Sequence, residues 1–316
     1  MKYLIIRPKY GLCNQLYSIS KGIIYALISS RDIIFSHFQM DYRLENNTCN
    51  FEDIIDIDHL QNIINKKNLK IKISSMNNIT NSKKIIKSND EKISDITDFI
   101  PLLLNDINSE IEYLDVDNPI SATIPFEYKR LENYINIHIK FTDYYINLAN
   151  NIKNIFHLNN YTCLHLRLEN DSLDFIKSFN NELSIEEVNE IYKKKYIEEI
   201  EKIYDINKQI YVCTSLGIND NINNNFYEEI KKKYNLIDKN KYIDISNNYR
   251  EVYAIIDYII AKDSSMFIGS DWSSFSIYIY NNHSYYNKSY KLIDIWTEIN
   301  SKNNKNIKNN EKNIKK

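Results

Sequence analysis

Tyr3-Leu4-Ile5-Ile6-Arg7, a loop from Pro8 to Gly11, apolar positions at Leu16, Ile19, Ile23 and Leu27, then Asp32-Ile33-Ile34-Phe35: the chain opens as strand, helix, strand. The two short apolar runs have the pattern of buried strands. Between them the apolar residues recur three and four apart, which is one face of a helix. Asn14 can cap that helix. This rhythm implies a βαβ unit and a parallel sheet.

The same alternation returns later. Tyr161 to Arg167 and Gln209 to Thr214 read as strands, Glu186 to Ile203 as a long charged helix, and Lys241 to Ile245 as a further short strand. Tyr249 to Ala261 fits a helix, and Met266-Phe267-Ile268-Gly269 a core strand, with Ser273 or Ser274 capping the helix after it. A single helical stretch carries Tyr134, Ile137, Ile139, Phe141 and Tyr144 to Leu148. The expected architecture is α/β: two Rossmann-like half-domains with a cleft between them. The first spans 1–155, with a polar excursion at about 60–125, and the second spans 156–300. Residues 301–316 are Asn/Lys-rich and read as a disordered tail. No internal repeat is evident.

Composition narrows the function classes. The 316 residues carry 40 basic and 42 acidic side chains, a net charge of −2, which excludes a strongly basic nucleic-acid binder. A local anion site needs only one or two cations and stays open. With 26 Tyr but 4 Gly and 4 Pro, collagen-like and Pro/Gly-rich disordered classes are excluded, and each glycine becomes informative. The abundance of Ile, Asn and Lys reads as codon bias. Cys13, Cys49, Cys163 and Cys213 lie far apart with no zinc spacing, so reduced thiols are expected. The first apolar run is too short for a signal peptide, and Val252 to Ala261 is too short to span a bilayer. A cytoplasmic protein without a membrane span follows as the expectation.

Four segments can carry chemistry. At the first strand–helix turn, Gly11 lets backbone approach a ligand and Asn14 offers both donor and acceptor. Equally, Gly11 makes a tight turn and Asn14 only caps the helix. In His165-Leu166-Arg167-Leu168-Glu169-Asn170-Asp171, strand alternation puts His165 and Arg167 on one face at a strand end. An Arg fork there suits phosphate, with Glu169 and Asp171 orienting the cations. A structural His and a buried Arg–carboxylate pair is the plainer account. In Gly269-Ser270-Asp271-Trp272-Ser273-Ser274-Phe275-Ser276, N–H groups and hydroxyls converge at a helix start, and Phe275 or Trp272 can stack on a base or sugar. An ordinary cap beside core aromatics reads the same way. Asp257 interrupts an apolar run, where a carboxylate could take the two donors of a guanine edge or simply face water. Asp56-Ile57-Asp58 and Asp115-Val116-Asp117 have the D-x-D form of metal-dependent sugar transferases, but in this composition chance produces it. No phosphate-binding P-loop, dinucleotide fingerprint or nucleophile elbow is present.

Taken together, these motifs resemble the GDP-fucose protein O-fucosyltransferase family. Gly11-Leu12-Cys13-Asn14-Gln15 matches its G-x-x-N-Q turn. His165-Leu166-Arg167 with Asp171 matches its H-L-R motif and following acid, and the stretch to Leu173 is similar to the plant branch. Asp257, Phe267-Ile268-Gly269 and Ser273-Ser274-Phe275 repeat the order and spacing of the Notch-type animal branch.

The resemblance implies a GT-B fold and an inverting transfer of fucose from GDP-fucose to a hydroxyl of a protein or glycan acceptor. No cofactor and no essential metal are implied. It assigns Arg167 to the β-phosphate and leaving GDP, and His165 and Asp171 to contacting or orienting the donor. Ser273, Ser274 and Phe275 would grip diphosphate and base, Asp257 would read guanine, and Asn14 would face fucose or the acceptor oxygen, with Gly11 at the same turn. No Glu precedes the turn where one branch is thought to place its base, so a general base is unassigned. A different nucleotide sugar, or a GT-B protein that binds without turnover, are the alternative readings.

Overall fold

The computed structural model describes residues 2–41, 47–74, 84–87, 112–117, 119–121, 123–179, 183–205, 208–216, 221–240 and 250–295, with isolated positions between. The expected tail, and the expected strand at Lys241 to Ile245 apart from Tyr242 and Ile243, lie outside the described residues. The chain divides into two compact units: Met1–Leu148 with Ile245–Ile255, and Ala149–Asp244 with Ile256–Lys316.

The first unit opens with β1 (Tyr3–Arg7), α1 (Leu12–Ile28) and β2 (Asp32–Phe35). A small antiparallel pair follows, β3 (Phe38–Gln39) and β4 (Thr48–Cys49). Then come α2 (Phe51–Ile54), α3 (Ile57–Lys66), β5 (Ile73–Ser74), β6 (Lys84–Lys87) and β7 (Tyr113–Asp117). The five-stranded sheet runs β5-β2-β1-β7-β6, all parallel. Leu4, Ile5 and Ile6 are all fully buried, as a central parallel strand covered on both faces requires. Gly22 lets α1 lie close to this sheet: a Cβ there would sit 2.7 Å from Ile6 Cγ1.

Two expectations change. Gly11, not Asn14, occupies the cap position of α1, and Asn14 lies in the first turn. The single helical stretch is two helices, α4 (Lys129–His138) and α5 (Asp143–Ile155). Between them Ile139 is extended and Phe141 bridges to Ile55, so the apolar periodicity counts residues from two elements on one core.

In the second unit the elements are β8 (Thr162–His165), α6 (Asn170–Phe179), α7 (Ile185–Ile203), β9 (Ile210–Cys213) and α8 (Asn224–Lys233). They continue with α9 (Arg250–Asp263), whose residues from Ile256 belong here, β10 (Met266–Ser270), α10 (Ser274–Tyr285) and β11 (Ser289–Ile293). The sheet order is β11-β10-β8-β9, again all parallel. Ser184 and Glu187 form a reciprocal capping box at the start of α7, which fixes where the long charged helix begins. In open parallel sheets the carboxyl ends of the strands are where ligands bind. Here those ends are His165, Cys213, Ser270 and Ile293.

Candidate active site

His165 closes β8, and its ring is held from two sides. Nδ1 lies 2.7 Å from Ser276 Oγ, and the ring stands 4.6 Å from that of Phe275. Ser276 reaches it because Gly269 has no side chain: a Cβ there would lie 2.4 Å from Ser276 Oγ. Burial depresses His165 to about 3, against help from Glu169, so the imidazole is neutral.

Two residues on, Arg167 is fixed at backbone and side chain. Its N–H donates to the Tyr196 hydroxyl at 3.1 Å. Nη1 donates to Glu169 Oε2 at 2.9 Å and to Asp171 Oδ1 at 3.1 Å, and Nη2 donates to Asp171 Oδ2 at 2.8 Å. Asp171 thus takes the fork in the bidentate geometry a phosphate would use. Glu169 is anchored behind it, its Oε1 accepting the Ser215 N–H at 3.0 Å and the Ser215 hydroxyl at 2.9 Å. Burial alone would lower Arg167, but the Glu169 and Asp171 carboxylates more than reverse this and hold it charged. Burial likewise opposes ionisation of Glu169, and Arg167 with the Ser215 N–H overcomes it.

After β10 the chain turns into α10 with Ser273 as its cap, the hydroxyl accepting the Ser276 N–H. No acceptor among the described residues takes the Ser274 and Phe275 N–H groups, so the positive end of this helix is open. Ser274 is exposed, and its hydroxyl bonds nothing among the described residues. Phe275 is half-buried under His165.

Asp257 is also in this unit but turned inward. Its Oδ1 accepts from the Tyr211 hydroxyl at 2.7 Å and its Oδ2 from Lys239 Nζ at 2.6 Å. Lys239, fully buried, also donates to the Thr214 carbonyl at 3.0 Å. Burial pushes Asp257 up to about 6, against the pull of Lys239 and Tyr211. Beneath it, Cys163 and Cys213 are free thiols with sulfurs 3.2 Å apart, brought together by pairing of β8 with β9.

In the first unit, the turn at Gly11 and Asn14 is built by Gln15. The fully buried Gln15 amide donates to the Tyr10 and Gln39 carbonyls at 2.8 Å each, and its Oε1 accepts the Gln39 N–H at 2.9 Å. Tyr10 takes the left-handed conformation, φ 71°, whereas Gly11 has an ordinary φ of −65° and nothing within 4 Å of a would-be Cβ. The Asn14 side chain is half-buried with no partner among the described residues. The helix start is not free for an anion at Leu12, whose N–H donates to Glu251 Oε2 at 2.7 Å.

The D-x-D segments serve the fold. Asp56 caps α3 and pairs with Lys140, and Asp115 takes the Arg7 guanidinium on two oxygens. No group of three or more His, Cys, Asp or Glu among the described residues is placed to hold a metal, and no helix there is long and apolar enough to cross a membrane.

Ser276, Ser215, Tyr196, Lys239 and Glu251 do not stand out by pattern. Ser276 sits one residue past the Ser-Ser-Phe motif, a spacing that could draw notice. Lys239 lies in the polar run Asp238-Lys239-Asn240-Lys241, where no pattern marks it.

The family model described as GDP-fucose protein O-fucosyltransferase matches residues 3–286. No curated protein sequence matches the chain. Among solved structures, the apo-form of POFUT1 aligns with TM-score 0.62 at 12% identity, covering 92% of this chain and 97% of that one. POFUT1 in complex with GDP-fucose aligns with TM-score 0.60 at 12% identity and the same coverage. The fucosyltransferase NodZ from Bradyrhizobium aligns with TM-score 0.57 at 12% identity, covering 88% of this chain and 91% of that one. The fold is therefore of the GT-B type expected from the motifs. With the family model spanning both units, the chain belongs to the GDP-fucose protein O-fucosyltransferase family.

Proposed function

We propose that this protein is an inverting fucosyltransferase that moves fucose from GDP-fucose to a hydroxyl of a protein or glycan acceptor. The observation that carries this reading is the Arg167 fork, fixed at a strand's carboxyl end beside the open start of α10. When the bond from fucose C1 to the β-phosphate oxygen breaks, charge grows on the diphosphate. A rigid, poorly solvated guanidinium and helix N–H groups favour that state more than the ground state. The acceptor oxygen forms its bond to C1 from the opposite face.

In this reading the second unit holds the donor. Arg167 takes the β-phosphate, exchanging part of its contact with the outer carboxylate, Asp171, while Glu169 keeps the fork aligned. Ser273, Ser274 and Phe275 grip diphosphate and base. Asp257 reads guanine by exchanging Tyr211 or Lys239 for the base edge. Asn14 and Gly11 belong to the acceptor side, where the bare Gly11 backbone leaves room. No resident metal is required, so turnover persists in a chelator.

Calorimetric titration tests the donor: GDP should bind in preference to UDP and CMP, and preference for another base overturns the reading. Release of fucose from GDP-fucose should be abolished by Arg167→Lys, which keeps a cation for Glu169 but loses the fork. Tight GDP binding with no fucose release on any protein or glycan acceptor would favour a binding protein.

A further inference from the structure

Ser276 is fully buried, and its Oγ has two neighbours: the Ser270 N–H at 3.1 Å and His165 Nδ1 at 2.7 Å. A hydroxyl has one proton to give. The Ser270 N–H can only donate, so it uses a lone pair of Oγ. The remaining partner for the Ser276 proton is Nδ1, since Ser276 has no other acceptor among the described residues. The opposite arrangement, Nδ1–H donating to Oγ, would strand the Ser276 proton in a sealed position, which is disfavoured.

We infer that Ser276 is a positioning residue that fixes the tautomer of His165, with Nδ1 accepting and Nε2 carrying the proton, so that His165 meets the leaving diphosphate as a neutral hydrogen-bond donor. The inference rests on the proposed function for the identity of that ligand. Nε2 has no partner among the described residues and is not among the sealed, unpartnered atoms, so it is the ring atom that keeps some exposure. The charged groups that act on the ring are Glu169, Arg167 and Lys239, with burial the dominant influence keeping it neutral.

The arrangement limits the chemistry. A neutral imidazole with its proton on Nε2 has no lone pair facing the ligand, so His165 is not the base that deprotonates the acceptor. Nor is it an acid strong enough to protonate the departing GDP. It stabilises charge that grows as the C1–O bond breaks, so its effect falls on kcat more than on KM. Gly269 belongs to the same device, because any side chain there displaces Ser276.

The test is nitrogen-15 NMR of the full chain, with the His165 signals identified by their loss in His165→Gln. Without ligand, Nδ1 should be pyridine-like and Nε2 pyrrole-like from pH 8 to 5. A protonated Nδ1, or an imidazolium at pH 7, overturns the inference. Ser276→Ala should shift the tautomer balance and lower kcat by at least about tenfold, with KM little changed, and Ser276→Thr should restore both. An unchanged tautomer in Ser276→Ala overturns it, and the wild-type spectrum decides even if that variant misfolds. On adding GDP, the Nε2 signal should move. GDP that binds without moving it overturns the donor contact. GDP that does not bind at all overturns the functional reading, while the ligand-free spectrum still decides the tautomer.

Discussion

Glu251 Oε2 accepts the N–H of Leu12 at 2.7 Å across 239 residues of sequence, capping α1 with a carboxylate from the far end of the chain. Glu251 is almost fully buried; burial, with a lesser push from the Glu251 carboxylate, drives the Cys13 thiol up. Helix starts favour anions, and this one supplies its own. Glu251→Ala should destabilise the protein by about 1–3 kcal/mol, and Glu251→Gln by less, since the amide oxygen can still accept. Urea unfolding measures the first, and hydrogen exchange at the Leu12 amide should quicken in parallel. Unchanged exchange in Glu251→Ala would contradict the cap.

The buried Lys239–Asp257 pair makes a second prediction. Removing one partner leaves a charge without compensation, so Lys239→Met should cost about 3–5 kcal/mol. Lys239→Met with Asp257→Leu should recover much of that, because neither charge remains. If Asp257 reads guanine, the double variant should still lose its preference for GDP over UDP despite restored stability. Retained preference would reduce Asp257 to a structural role.

His165 predicts the direction of acid sensitivity. Its unfolded value is about 6.5, and burial lowers it to about 3 in the folded protein. Between these values the unfolded chain binds the proton and the native one does not. Stability from this group is therefore complete above pH 6.5 and is lost as pH falls toward 3, at up to about 1.4 kcal/mol per pH unit. His165→Gln should show a shallower decline between pH 7 and 5 in urea midpoints. Equal slopes in the two proteins would rule this out.

Gly11 separates fold from function. Its φ of −65° suits any residue, and nothing lies within 4 Å of where a Cβ would stand. Gly11→Ala should leave the protein as stable or more stable by about 0.4–1 kcal/mol, through lost freedom of the unfolded chain. If the bare backbone leaves room for acceptor or sugar, fucose transfer should fall sharply in the same variant. Stable protein with full activity would remove Gly11 from the ligand-facing set.

The motif residues were legible because rare types stood at strand ends. Gly11 and Gly269 were conspicuous in a glycine-poor chain, and His165-Leu166-Arg167 set an imidazole and a guanidinium two residues apart at a strand end. Periodicity gave β1, α1, β2, β8, α7, β9, α9 and β10, missed α6 and α8, and misled where Ile139 and Phe141 feed one core from the join of two helices. Glu169, grouped with Asp171 by proximity in sequence, plays a different part, because Ser215 anchors it from the next strand's end, 46 residues away.

Local sequence determined where the strands and helices run, the capping at Ser184 and Ser273, and which side chains reach the carboxyl ends of the parallel strands. Those properties depend on neighbours within a turn or two, and alternation or a cap residue suffices to set them. Only the tertiary structure decided which partner each buried polar group takes. Lys239 rather than solvent meets Asp257, Ser276 meets His165, Ser215 locks Glu169, and Glu251 fills the start of α1. A buried charge or donor must be satisfied by whatever the fold brings within about 3 Å. The two glycines near strand ends differ for this reason: Gly269 is required by its neighbour Ser276, and Gly11 has nothing within 4 Å of where a Cβ would stand.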